Sequence, residues 1–320
     1  MDHGHHRGGQ LIKGGQSLRE ALQVASRELQ AADLAFGHGT GNAADEAAFL
    51  LLEGLGLPID DPETAAGRIL TDEEADRLAV LIERRERDRV PAPYVVGAAY
   101  VGPFRFRADE RALVPRSFIG ELLVAGMDSD EPLPLVPRAA THRILDLCTG
   151  SASLAILAAH AFPDASVDAV DLSTDALDLA ALNVADHDLG DRVRLLAGDL
   201  FDPVAGNRYD LIVTNPPYVT SAAMAELPPE YRREPGIGLD GGADGLDLVR
   251  RILDRADAFL VPEGAMICEI GAGQPQFEQS FPTLDVLWLD TEESSGEVFR
   301  VDAAALSAHK ASGHTTSPAE

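Results

Sequence analysis

The residues of this chain with the most specific chemistry are Asn215, Pro216, Pro217 and Tyr218, which close the apolar run of "YDLIVTNPPYVTS" from Tyr209 to Ser221. Prolines stop strands, because Pro has no N–H for the ladder and restricts the residue before it. That explains Pro216 and Pro217 but gives Asn215 and Tyr218 no task. An asparagine carboxamide held in fixed orientation beside an aromatic face suits a flat amide or amine. Asn215 Oδ1 and the Pro216 carbonyl can accept both N–H bonds of such a group, while Pro217 and Tyr218 wall its plane.

Three further stretches end comparable strand patterns. "DLCTGSAS", Asp146 to Ser153, is a tight turn before a helix, so backbone N–H groups and the helix N-terminus of Cys148, Thr149, Gly150, Ser151 and Ala152 can face an anionic or zwitterionic group. Only one of the glycines of a dinucleotide fingerprint is present, which disfavours a pyrophosphate and with it a dinucleotide cofactor. Asp171 closes "AVDLS" and can accept both hydroxyls of a ribose. In "GDL", Asp199 can accept the exocyclic amine of an adenine and Leu200 can cover its ring. Taken singly, Asp171 and Asp199 are also ordinary helix-flanking or turn acids. Polar groups on four consecutive strand ends together ask for a nucleoside with a short zwitterionic appendage, which is S-adenosylmethionine.

Alternating strands and helices must position these residues. From Arg143 the chain reads as repeated βαβ units: "RILDL", "SVDAVDL", "VRLLAGDL", "YDLIVTN", "GAMICEI", "VLWLD" and "EVFRVDA" as strands, with helices such as Leu154 to Ala161 between them. The expected fold is α/β, a mostly parallel Rossmann-like sheet with helices on both faces, whose ligands sit beyond the carboxyl ends of the strands where strand order reverses. Ahead of it, residues 17–90 read as a small helical domain opened by the capping boxes Ser17/Glu20 and Thr71/Glu74. Its third helix carries Leu78, Leu81 and Ile82 inside and an Arg/Glu-rich face outside. Residues 91–116 read as a β-hairpin connector with Phe104 and Phe106 on one face, and 117–306 as the α/β domain. Residues 1–16 and 307–320 read as flexible tails, and "MDSDEPLPLVPRAATH" as an exposed loop.

Composition narrows the partners. At 320 residues and 45% apolar content the chain is globular, and 26 Lys+Arg against 53 Asp+Glu leave a net charge of −27. Such a surface repels phosphate backbones and favours a basic protein over nucleic acid. Cys148 and Cys268 form no CxxC pair or disulfide framework, which suits a reducing cytoplasm. No apolar run reaches the ~20 residues of a membrane span, and no secretory signal is visible. His3, His5 and His6 lack acidic or cysteine partners at metal-ligand spacing, so no metal is expected.

With these residues on the page, the chain resembles the protein N5-glutamine methyltransferases, the family around release-factor glutamine methyltransferase. "NPPY", "DLCTGS", "VDLS", "GDL", the entry segment "LVPRS" (Leu113 to Ser117) and "GGADGL" (Gly241 to Leu246) carry the likeness. "GHGT", "DERALVPRS", "AFPDASVDAVDLS", "LPPEYRREPGIGL", "DGLDLVRRIL" and "ICEIG" make it most similar to the branch that methylates large-subunit ribosomal protein L-three. The likeness spans about Ser17 to Leu306, helical domain included. It implies methyl transfer from S-adenosylmethionine to a glutamine side chain. It also implies that Cys148 to Ala152, Asp171 and Leu200 surround the cofactor, that Asn215 touches cofactor and substrate, and that the helical domain reads the substrate; Asp146 and Asp199, at the ends of their strands, are expected to bind the cofactor with them. A release factor is the alternative protein substrate within the family. One position departs: the branch usually has glycine where this chain has Ala152, whose methyl group is expected to weaken cofactor binding slightly.

Two other functions compete. An adenine amine presents the same two N–H bonds as an amide, so adenine-N6 methylation of nucleic acid is the second enzymatic possibility; the charge of −27 and the lack of a basic, aromatic-rich module argue against it. A non-enzymatic acidic binding protein would require Ala152 to have abolished cofactor binding. "GGQ" occurs at Gly8 to Gln10 and Gly14 to Gln16. A Gly-rich tail accounts for it more simply than self-methylation.

Overall fold

A computed structural model describes residues 12–127, 136, 138–291 and 294–312. The chain divides into two compact units, the first holding the described residues up to Ala98 together with Pro228–Arg233, the second Ala99–Leu227 and Glu234 onward.

The first unit is helical: α1 (Leu18–Ala31), α2 (Ala43–Leu55), α3 (Pro62–Ala65), α4 (Asp72–Asp88) and α5 (Ala92–Val96). Both expected capping boxes are present, Ser17 with Glu20 and Thr71 with Glu74, each satisfying N-terminal amides that the helix leaves unpaired. Asn42 caps α2 by accepting from Ala44 N and Asp45 N, and Gly56 ends it at φ 65°. Leu18, Ala21, Ala25 and Leu29 of α1 and Ala75, Leu78 and Ile82 of α4 are buried.

Several boundaries differ from expectation. Residues 12–16 are part of this unit: Ile12 is buried, Gly15 N donates to Leu70 O and Leu70 N to Gln16 O, both at 2.9 Å. The Gly14–Gln16 tripeptide is thus paired backbone, with Gln16 Oε1 accepting from Lys13 N; the tripeptide at Gly8 and His3, His5 and His6 lie outside the described residues. The start of the stretch expected to be hairpin connector, Ala92–Val96, is α5, because Pro91 and Pro93 pre-set helical φ at its start and Gly97 ends it at φ 73°. Arg85, placed on the outer face of its helix by its charge, is completely buried.

The chain passes into the second unit within a hairpin, β1 (Ala98–Val101) and β2 (Phe104–Arg107), followed by α6 (Phe118–Met127). The α/β core follows: β3 (Arg143–Leu147), α7 (Ser153–Ala161), β4 (Ser166–Asp171), α8 (Thr174–Asp186), β5 (Val193–Ala197) and β6 (Tyr209–Thr214). It ends with α9 (Ser221–Glu226), α10 (Asp247–Ala256), β7 (Leu260–Glu269), α11 (Gln274–Ser280), β8 (Leu287–Leu289), β9 (Val298–Asp302) and α12 (Ala303–Ala311). The last helix occupies residues 307–311, which were expected to be tail; Leu306 is buried at its centre. Residues 313–320 and most of the Pro-rich loop lie outside the described residues.

The sheet order is β5-β4-β3-β6-β7-β9-β8, parallel except for β9, which runs antiparallel to both β7 and β8. Strand alternation feeds two cores. Ile144, Val167, Leu211 and Val213 face one with α6 and α7, while Leu145, Leu147, Ile212 and Met266 face the other with α10, α11 and α12. Strand order reverses between β3 and β6, where Leu147 pairs with Thr214. The carboxyl ends of these two central strands are therefore neighbours, and every residue singled out on a strand end lies on this one edge.

Candidate active site

The loop after β3 is held by a set of unusual backbone conformations. Cys148, Gly150 and Ala152 have φ of 58°, 56° and 64°, the left-handed region in which only glycine is free of side-chain strain. Thr149 N donates to Val170 O at 3.1 Å and Ala152 N to Thr149 O at 2.9 Å, which locks the strained turn to β4. Ala152 precedes α7 without giving it a side-chain cap. Asn183 on α8, wholly buried, steadies the same loop: Nδ2 donates to Ser151 O at 3.0 Å while Oδ1 accepts from Arg107 N at 2.7 Å.

Asp146 is buried beneath this loop. Its Oδ2 accepts from the Thr149 hydroxyl, and its Oδ1 has no hydrogen-bond partner among the described residues. Burial pushes its pKa up to about 7, with the charge of Asp171 adding to the effect. Asp171 ends β4, accepting from Gly150 N and Ser173 N at 2.8 Å each; burial still raises its pKa. Leu200 is buried at φ 49°. The Asp199 carboxylate forms an ion pair with Arg251 at 2.6 Å, both side chains about half exposed. Burial pushes the Cys148 and Cys268 thiols up, so neither is a reactive thiolate, and both are free.

The turn after β6 is braced on three sides. Thr214 Oγ1 donates to Leu147 O at 2.9 Å, joining the ends of β6 and β3. Asn215 Nδ2 donates to Arg116 O at 3.5 Å, which orients the carboxamide so that Oδ1 is the acceptor it offers. Pro216 and Pro217 are buried. The glycine-rich loop lies flat against this turn: Val219 N donates to Leu239 O and Gly241 N to Val219 O, at 2.9 and 2.8 Å. A Cβ on Gly241 would fall 2.7 Å from Pro217 O, and one on Gly245 2.4 Å from Tyr218 O, so only glycine permits that approach.

The tyrosine is held by residues to which composition and spacing assigned no role. Tyr218 OH donates to Glu269 Oε1 at 3.4 Å, and Glu269 Oε2 accepts from Ser117 Oγ at 2.6 Å and Phe118 N at 2.9 Å. Burial pushes Glu269 up to about 7 in spite of these donors. Nearby, Glu234 receives a two-pronged bond from Arg116, 2.7 Å on each oxygen, and a third from Val114 N at 3.0 Å. Glu269 leaves one local signal, an ionisable residue at the end of the apolar run "AMIC"; its partners stand 51 residues away at Tyr218 and 152 and 151 away at Ser117 and Phe118.

Comparison with known proteins identifies the family. A family model described as "Methyltransferase small domain" matches residues 122–227. The chain is 52% identical over 292 residues to a ribosomal protein uL3 glutamine methyltransferase of Bradyrhizobium diazoefficiens, covering 91% of this chain and 92% of that protein. A Bordetella pertussis protein of the same description is 48% identical, covering 88% of this chain and 94% of its own. One from Burkholderia pseudomallei is 45% identical over 92% and 96%. The chain belongs to the ribosomal protein uL3 glutamine methyltransferase family.

Proposed function

We infer that the protein transfers a methyl group from S-adenosylmethionine to the side-chain amide nitrogen, N5, of a glutamine in large-subunit ribosomal protein uL3. The observation that carries this is the braced Asn215–Tyr218 turn at the end of β6, hydrogen-bonded through Thr214 to the end of β3, whose loop is built for the methyl donor.

The residues present fit that donor. Asp146 Oδ1, a buried acceptor with no hydrogen-bond partner among the described residues, suits an ammonium group such as that of a methionine moiety. Asp171 keeps lone pairs for ribose hydroxyls after accepting from Gly150 and Ser173. A Cβ on Gly150 would meet nothing within 4 Å, which leaves room above the loop, and Leu200 offers an apolar face to an adenine. When bound, S-adenosylmethionine supplies a methyl group activated by a positively charged sulfur.

The remaining work falls to this chain. An amide nitrogen is a poor nucleophile because its lone pair is conjugated with the carbonyl. Asn215 Oδ1 and Pro216 O can each accept one N–H, which aims the nitrogen and offsets the positive charge developing on it. Pro217 and Tyr218 wall the carboxamide plane. The rigidity of the turn, enforced by Thr214, Arg116 and the glycine loop, keeps both acceptors in place throughout. No strong base is required for the attack; the proton leaves the nitrogen after the new C–N bond has formed.

The net charge of −27 complements a basic substrate such as a ribosomal protein, and the helical unit is assigned to substrate recognition. A cytoplasmic location follows from that substrate. The test is incubation with labelled S-adenosylmethionine and, separately, uL3, a release factor, DNA and RNA, followed by mass spectrometry. One added methyl group on a uL3 glutamine is the expected result, and label on nucleic acid or release factor alone overturns it. Asn215→Ala should lower turnover at least about 100-fold, as loss of an oriented transition-state partner does, with a smaller effect on cofactor affinity.

A further inference from the structure

Glu269 stands at the meeting of three segments of the α/β unit. It ends β7, its Oε2 is bound by Ser117 and Phe118 at the start of α6, and its Oε1 faces the Tyr218 hydroxyl. The side chain is 2% exposed, so its hydrogen bonds face no competition from bulk water. The amides at the start of α6 favour negative charge there. Two residues on, Gly271 has φ 53°, and a Cβ at that position would lie 2.6 Å from Tyr218 Cε2 and 2.9 Å from Cδ2. The ring of Tyr218 therefore rests directly on the Gly271 backbone, with its hydroxyl held by Glu269.

We propose that Glu269 and Gly271 are positioning residues that set the pose of Tyr218 and, through it, the wall against which the substrate carboxamide is aligned. The proposal rests on the amide-methylation function above and deepens it. A tyrosine free to rotate leaves Asn215 and Pro216 intact but widens the slot. The nitrogen is then less often in line with the methyl group, although donor and substrate still bind. Loss of alignment lowers kcat more than it raises KM. Burial also raises the Glu269 carboxyl to about 7, so the charge behind the ring changes within the working pH range. The other charged groups facing Tyr218 are Arg116 and Glu297.

The test combines kinetics with a spectroscopic readout that does not depend on turnover. Kinetics of uL3 methylation are measured for Glu269→Gln, Tyr218→Phe, their combination and Gly271→Ala. Expected are a fall in kcat of about tenfold for Glu269→Gln and for Gly271→Ala, with KM for uL3 within about twofold. Tyr218→Phe should render Glu269→Gln nearly silent, since both act through one hydroxyl. In parallel, the full chain carrying 3-fluorotyrosine at position 218 is titrated by fluorine NMR. Its resonance should shift with a midpoint near 7 in the parent and in Glu297→Gln, and stay flat in Glu269→Gln. Independent, multiplying losses from Glu269→Gln and Tyr218→Phe, or a resonance identical in parent and Glu269→Gln at every pH, would overturn the proposal. A normal NMR response with no methylation of uL3 by the parent would instead overturn the substrate assignment and leave the positioning pair standing.

Discussion

Arg85→Met should strongly destabilise the helical unit. The Arg85 guanidinium has no exposed surface; Nε donates to Glu46 Oε1 at 2.7 Å, Nη1 to Glu230 Oε1 at 3.3 Å and Nη2 to Ala35 O at 2.8 Å. Methionine keeps most of the aliphatic stem but removes every donor. Glu46, 1% exposed, is then left with the Thr40 hydroxyl, and Glu230, fully buried, with Arg89 Nη1 and Ala35 N. Breaking a buried ion pair from one side costs about 3–5 kcal/mol, because a charge stays buried without compensation. The exposed pair Arg87–Glu83, also on α4, provides the internal control, and Arg87→Met should leave stability almost unchanged because solvent screens the pair. Denaturant unfolding followed by far-UV circular dichroism measures the difference. Hydrogen exchange across α2 and α4 assigns it to this unit, since the only tryptophan, Trp288, lies in the other. Arg85→Met with Glu46→Gln should recover much of the loss, because Glu230 keeps its ion pair with Arg89 Nη1 at 3.0 Å and the uncompensated charge on Glu46 is removed. A cost for Arg85→Met equal to that for Arg87→Met would refute the reasoning.

Two further outcomes follow from the active-site geometry. Ala152 sits at φ 64°, where a Cβ costs roughly 1–2 kcal/mol, so Ala152→Gly should relax the donor loop and tighten S-adenosylmethionine binding several-fold by calorimetry; equal affinity would refute this. Glu269 and Asp146 are both raised to about 7 from ordinary values near 4, so the folded protein holds protons that the unfolded chain has released. Their stabilising effect is complete below pH 4 and disappears as the pH rises through 7. Glu269→Gln should therefore flatten the fall in stability between pH 5 and 7.5 by on the order of 3 kcal/mol, measured by denaturant unfolding at each pH.

The division between what sequence and tertiary structure decided follows the range of the interactions. Capping boxes at Ser17 and Thr71, the alternation of "YDLIVTN" and the acid ending "AVDLS" are local patterns, because side chains a few residues apart satisfy a helix end or choose a sheet face. They sufficed for the fold class and for placing the ends of β3, β4 and β6 on one edge of the sheet. Local rules failed where a distant partner reversed them. Arg85 reads as a surface arginine until Glu46 and Glu230 meet it, and Tyr94 reads as part of the hairpin connector until Pro91, Pro93 and Gly97 act together as helix start and stop. The bracing of Tyr218 by Glu269, Ser117 and Gly271 likewise depends on packing between elements. A buried carboxylate shows in a sequence only as an oddly placed charge, and folding alone decides which hydroxyl it meets.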